Sequence, residues 1–329
     1  MNNVGWRIAV MAAGMMVLVA AGVAASDAVE PVPVPVIGTE GLLIEDVAFD
    51  SSGSLWLVGR DGVWCYDPAS RELEPFLIQE GSPYVRSVTA DDDGSVWFGS
   101  DEMGAYLWNG KKISHYGIGD GLGGECVFDL AIGANGAVWF ATSAGVSRLH
   151  DKEWTHWGLE DGLPSRGATT IAVGDDGRTW AGTPAFGPYI GGVVCIDGRG
   201  LTRYGTEDGL PGDDVTCLTA GPGGTVWVGT YYGLAVFDGE QWSVNSEEGI
   251  SGASVTGITN DHQGMVWIAN RSGVWRHDAE EPFGALRSAG TGFPESIRAL
   301  VVADDGALWM AVTPDTAEAP TLYRLPADN

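Results

Sequence analysis

The sequence predicts an all-β chain, a seven-bladed β-propeller of four-stranded antiparallel blades, closed by an N-terminal strand. Three observations carry the prediction. Trp56, Trp97, Trp139, Trp180, Trp227, Trp267 and Trp309 recur at intervals of 41, 42, 41, 47, 40 and 42 residues. Each stands three residues after a glycine: Gly53, Gly94, Gly136, Gly177, Gly224, Gly264 and Gly306. Apolar pairs precede each Trp by twelve and nine positions, as in Ile44/Val47, Val85/Val88, Val127/Leu130, Ala168/Ile171, Val215/Leu218, Val255/Ile258 and Ile297/Leu300. A unit of about 40 residues built from short strand-like runs is the pattern of a propeller blade. A chain of 329 residues would otherwise suggest about two domains. The repeat instead makes residues 26–329 a single domain whose core is divided among neighbouring blades.

Residues 1–25 stand apart from the repeats. Arg7 is the only charge before an apolar run from Ile8 to Ala25, and Val23-Ala24-Ala25 offers small residues for a signal-peptidase cut before Ser26. A run of this length comes close to spanning a bilayer, so an uncleaved anchor is the alternative. Its Ala- and Gly-rich end favours cleavage, and the absence of a nearby Cys excludes a lipoprotein anchor. The expectation is a periplasmic or secreted protein with no membrane span once the signal is removed. Cys65, Cys126, Cys195 and Cys217 fall at different repeat positions without a CxxC spacing. They read as small buried side chains, with a Cys195–Cys217 bridge between adjacent blades as the minority alternative.

Within a repeat, the inner strand leads through a polar turn such as Asp91-Asp92-Asp93-Gly94 to the strand that holds the Trp. Glycine there supplies the positive φ of a tight hairpin. A third strand opens on another Gly, as in Gly145-Val146-Ser147-Arg148-Leu149, and a short aromatic fourth follows, as in Trp154-Thr155-His156-Trp157. A buried Trp removes roughly 200 Å² from water, worth about 5 kcal/mol at most, which is reason enough for the strict spacing. The last repeat lacks a fourth strand. The segment Pro33-Val34-Pro35-Val36-Ile37-Gly38 lies where other repeats keep theirs, so Val34–Ile37 is expected to complete the last blade and close the ring. Proline suits such an outermost strand.

Two copies of an acidic-Gly-Leu-Pro turn, Glu160-Asp161-Gly162-Leu163-Pro164 and Glu207-Asp208-Gly209-Leu210-Pro211, lead to Trp180-Ala181-Gly182-Thr183 and Trp227-Val228-Gly229-Thr230. Gly119-Asp120-Gly121-Leu122 is a weaker third copy. In this signature the chain resembles the two-component-regulator propeller family, over essentially all of residues 26–329. The resemblance implies an exported, bacterial sensor-type propeller that reads oligosaccharides. The family's usual second apolar span, sandwich domain and kinase region do not follow Asn329, so a free-standing binding propeller is expected. Asp175-Asp176-Gly177-Arg178-Thr179-Trp180 is similar to an Asp box, a turn without catalytic content. The Trp-Asp dipeptide of WD repeats is missing. The streptogramin-lyase type of propeller matches in period and blade number but uses an acid–base His at its central mouth. Here His115 and His156 fall on outer strands, His150 and His277 close third strands, and His262 sits in a bottom turn.

Charge narrows the partners. A formal net charge of −27, with Lys only at 111, 112 and 152, excludes nucleic acid and anionic membrane surfaces. In a propeller the loops between fourth and first strands and between second and third strands share one face, where binding sites lie. Arg60, Arg86, Arg271 and Arg298 fall there on blades that adjoin once the ring closes, with Tyr84, Phe128, Tyr231 and Tyr232 as aromatic surface. The pattern suits a mouth that takes an oligosaccharide, an anionic small molecule or a protein segment. The alternative is that these arginines balance Glu45, Asp46, Asp61 or Asp101. The blade-4 insertion 184–191, with Phe186 and Tyr189, lies on the same face. The acidic runs lie opposite, and their spacing matches no Ca²⁺ loop. No nucleophile–base pair, metal site or cofactor motif is spaced for chemistry, so a non-catalytic binding propeller is expected, with a lyase or hydrolase at the central mouth as the alternative.

Overall fold

The computed structural model describes residues 32–33, 42–79, 83–261, 264–278, 286–290, 296–313 and 321–327. In every repeat the glycine three residues before the Trp has φ between +73° and +87°, the left-handed region a side chain would resist. That turn folds the inner strand back onto the Trp strand, and two further reversals complete a meander. The seven inner strands, numbered by blade 1–7, are Ile44–Phe49, Val85–Ala90, Val127–Ile132, Thr170–Val173, Val215–Ala220, Val255–Asn260 and Ser296–Val302. Each heads a four-stranded antiparallel sheet, in sequence order outward in blades 1–6. Each inner strand packs beside the next, and that of blade 7 lies beside that of blade 1, so the ring is closed.

The spacing of three between the paired apolar residues conflicts with a regular strand, where one face recurs every second residue. A β-bulge resolves the conflict. The register shifts between Ile44 and Asp46 in blade 1, and between Val85 and Ser87, Val127 and Asp129, Val215 and Cys217, Val255 and Gly257, and Ile297 and Ala299 in five others. The extra residue lets both members of a pair point away from the axis.

Seven hydrophobic cores result, one per interface. Each Trp, between 0 and 7% exposed, enters the core it shares with the following blade. Trp180, for example, packs against Leu218, Val228 and Phe237 of blade 5. Trp309 joins Ile44, Leu57 and Tyr66 of blade 1 across the point where the ring closes. The acidic-Gly-Leu turns serve the same interfaces. One-turn 3₁₀ helices at Ile118–Asp120, Leu159–Asp161 and Thr206–Asp208 are held by an Asp carboxylate accepting a glycine N–H. The distances are 2.9, 2.9 and 2.8 Å, to Asp120, Asp161 and Asp208. A left-handed glycine follows, and the next residue, Leu122, Leu163 or Leu210, plugs the interface. Gly249-Ile250 repeats the device between blades 5 and 6, a copy hidden by its Ile.

Blade 7 is completed from the N-terminal side by a two-residue strand. Val32 lies opposite Arg324 and Pro33 opposite Tyr323. The expected closing segment, Val34–Ile37, lies outside the described residues. The Cys195–Cys217 alternative is not realised. All four cysteines are free, with Cys195 in the blade 4–5 core and Cys217 on an inner strand.

Deleting residues 30–38 is expected to lower the melting temperature by several degrees or more, because it bares the edge of Leu322–Leu325. An unchanged melting curve would show that blade 7 needs no N-terminal strand.

Candidate ligand site at the mouth of the axial cavity

The inner strands surround a cavity of about 880 Å³ on the ring axis. The residue eleven before each Trp reaches its wall, so seven blades contribute Glu45, Arg86, Phe128, Thr169, Thr216, Thr256 and Arg298. These positions open the inner strands and therefore sit at the end nearest the binding-face loops. Three of them, Arg86, Phe128 and Arg298, were expected from the sequence. Glu45 and the three threonines were not, although the fixed offset from the Trp would have found them.

One side of this ring is organised. The Arg86 guanidinium lies 4.9 Å from the Tyr84 ring centre and 5.3 Å from that of Phe128, and it pairs with Asp101. Arg60, exposed on the blade-1 turn, lies 5.4 Å from the other partner of the stack, Tyr84. The Tyr84 hydroxyl donates to Glu45 at 2.9 Å. Burial, and then this bond, push the Tyr84 phenol up, which keeps it a neutral donor. Arg298, across the closure, donates from Nε to Thr313 at 2.9 Å. Arg271 is exposed on the blade-6 turn and is not part of the cavity wall.

Tyr231 and Tyr232 stand apart from the mouth cluster, 59 and 60% exposed on the blade-5 turn. Phe186, 78% exposed, tips the blade-4 insertion, and Tyr189 closes its turn on the Phe186 carbonyl. Asp213 and Asp214 knit these two loops together. Asp214 accepts the Ala185 N–H at 2.9 Å and, through its carbonyl, that of Tyr231 at 3.3 Å. The site residues therefore form two groups, one around Arg86 and one around blades 4 and 5.

Behind the mouth, two carboxylates occupy bulge positions on the cavity wall. Asp46 accepts the N–H of Val47 at 2.8 Å and that of Val88, on blade 2, at 2.9 Å. Asp129 accepts Leu130 N–H at 2.8 Å, and from blade 4 the Thr170 hydroxyl at 2.9 Å and Ile171 N–H at 2.8 Å. Asp46 is thus bonded to backbone and not to an arginine, contrary to the balancing alternative for that residue. Burial pushes Asp46 up to about 7, helped by repulsion from Asp129, and burial alone pushes Asp129 up to about 6. Among the described residues no group of three His, Cys, Asp or Glu is placed to hold a metal ion, and no helix is long and apolar enough to cross a membrane. The described histidines, His115, His150, His156 and His277, lie off the cavity wall.

Residues 209–232 match the two component regulator propeller repeat, covering the turn into blade 5 and its Trp strand. No curated protein sequence matches the chain. The extracellular domain of a candidate hybrid two-component system from B. thetaiotaomicron superposes at TM-score 0.66 and 18% identity, covering 87% of this chain and 40% of that one. That of a candidate one-component system from the same organism superposes at 0.69 and 15% identity, covering 91% and 42%. Catalytically inactive virginiamycin B lyase from Staphylococcus aureus, solved with quinupristin, superposes at 0.70 and 14% identity, covering 91% and 99%. At these identities the likeness is one of fold, and the chain spans about two fifths of the two sensor domains.

Folded Asp46 and Asp129 carry protons between about pH 4 and pH 7 that the unfolded chain, with ordinary carboxylates near 3.8, has released. Stability from these two groups is therefore highest below that window and declines as pH rises through it. Melting temperature against pH should show a shallower decline in the Asp46→Asn, Asp129→Asn double variant than in the parent. Parallel curves would mean that both carboxylates titrate normally in the fold.

Proposed function

We propose that this chain, a propeller of the two-component-regulator type, is an exported, non-catalytic binding protein that takes an oligosaccharide at the mouth of its axial cavity. The observation that carries the reading is the Arg86 cluster. Two aromatic rings flank a guanidinium, with Glu45 and Asp101 alongside, at the rim of a cavity of about 880 Å³. That volume lies in the usual range for small-ligand sites. Arginines and carboxylates are nearly balanced here, so the mouth offers alternating donors and acceptors and little net positive field. Such a surface suits a hydroxylated ligand with flat apolar ring faces better than a simple anion. A peptide would use the same donors through its backbone and is the neighbouring alternative.

Export accords with the N-terminal apolar run and with the extracellular domains that share the fold. Signal relay would require a partner protein, for which the exposed Phe186 and Tyr231–Tyr232 loops are the natural contact. The lyase fold-mate supports a second reading, in which the cavity processes a ligand such as quinupristin.

The test is an array of neutral and acidic oligosaccharides, short peptides and quinupristin presented to the full chain. An oligosaccharide is expected to bind, quinupristin to be left intact, and the Arg86→Ala, Arg298→Ala double variant to bind about tenfold or more weakly while keeping its melting temperature. Equal binding by the double variant would remove the mouth from the proposal and turn attention to the Phe186–Tyr189 loop. Cleavage of quinupristin would establish the lyase reading.

A further inference from the structure

A second cavity, of about 460 Å³, opens on the opposite face between blades 3 and 4. Arg148, on the third strand of blade 3, lies directly across from Trp139, with its guanidinium carbon 5.5 Å from the ring centre. Trp157 stacks on Trp139 at 5.2 Å and 18°, and all three side chains line the cavity. Among the described residues Arg148 forms no ion pair, and its Nε is buried with no hydrogen-bond partner. A buried guanidinium N–H without an acceptor is unfavourable, so Arg148 calls for an acceptor supplied from outside.

The repeats themselves show that Arg148 differs from its equivalents. Arg276 and Arg324 stand across from Trp267 and Trp309 in the same register. Arg276 pairs at 2.8 Å with Asp278, two residues further on. Arg324 pairs at 2.6 Å with Asp305, four residues before Trp309. Blade 3 has His150 and Asn135 at those two positions. Both neutralising carboxylates are replaced in blade 3, and the cavity lies beside its arginine. The acids that do line the cavity are engaged elsewhere. Asp176 pairs with Arg178, Asp175 accepts the Gly223 N–H at 3.2 Å, and Asp197 accepts that of Arg199 at 2.7 Å.

We infer that this cavity is a second binding site, for a sugar ring that bears a carboxylate, of the hexuronate class. The planar guanidinium of Arg148 matches a carboxylate through parallel N–H donors. Trp157 offers an aromatic surface for the ring, and the remaining lone pairs of Asp175 and Asp197 accept sugar hydroxyls. The same three acids repel a doubly charged phosphate more than a singly charged carboxylate, which selects the ligand class. The site adjoins the far end of the axial cavity, sharing Ala134, Val173, Gly174 and Asp175 with it, and contains none of the residues of the Arg86 mouth.

The test is titration of the full chain at low ionic strength with glucuronate and digalacturonate, followed by tryptophan fluorescence, with glucose and inorganic phosphate as comparators. Saturable uronate binding is expected, about tenfold or more tighter than glucose or phosphate. Arg148→Gln should abolish that preference. His150→Asp and Asn135→Asp, which restore the carboxylates of blades 6 and 7, should keep or raise the melting temperature and weaken uronate binding comparably. The Arg86→Ala, Arg298→Ala pair should leave it unchanged, which separates this site from the mouth. Absent uronate binding in the parent, tighter binding of phosphate, or undiminished binding in folded His150→Asp would overturn the inference.

Discussion

The rest of the molecule depends on the burial of one blade's tryptophan against the next blade. A four-stranded meander has two faces, and in a propeller both must be covered by neighbours. Six of the seven Trp strands are buried along their whole length, as in Leu55–Gly59 and Val226–Thr230, and the seventh is buried up to Thr313. No blade can therefore keep its core on its own, and the seven interfaces stand or fall as a ring. The turns obey the same constraint. The Asp that holds each short 3₁₀ helix and the left-handed glycine after it place one leucine in the interface, which gives the acidic-Gly-Leu motif a packing purpose independent of any ligand.

Because apolar packing is satisfied between blades, the axis is free for polar groups. The bulge makes this arrangement work. It turns the apolar pair outward, brings the residues between them to the cavity wall, and leaves backbone N–H groups that Asp46 and Asp129 bridge across to the next blade. Those two carboxylates join inner strands, while variation at the position beside them, from Glu45 and Arg86 to three threonines, sets the chemistry of the mouth. Regular structure and variable chemistry thus occupy adjacent residues of one strand. Arg148 follows the same logic on the other face, where one repeat has lost the acids that neutralise the arginines of blades 6 and 7.

Blade number, strand order and core were legible in the sequence because they recur, and recurrence exposes each element seven times. The bulges were legible in principle, since an apolar spacing of three cannot sit on one face of a regular strand. The site was only partly legible. Arg86, Phe128 and Tyr84 were placed on one face, but their stacking depends on side-chain reach across two blades. Arg271 was grouped with them by adjacency of blades and lies off the cavity wall. Charge alone leaves Asp46 as one of four candidate partners for the arginines, whereas backbone amides at the bulge claim it. Pairings of this kind are set by the closing of the ring, which brings together residues some 40 positions apart, and no local pattern encodes them.

The most direct measurement is calorimetric unfolding of two single variants, Trp180→Ala at an internal interface and Trp309→Ala at the interface that closes the ring. A closed ring of equivalent interfaces predicts one cooperative transition in both, each destabilised by about 3–5 kcal/mol. A Trp309→Ala protein as stable as the parent, or one that melts in two steps, would contradict the account.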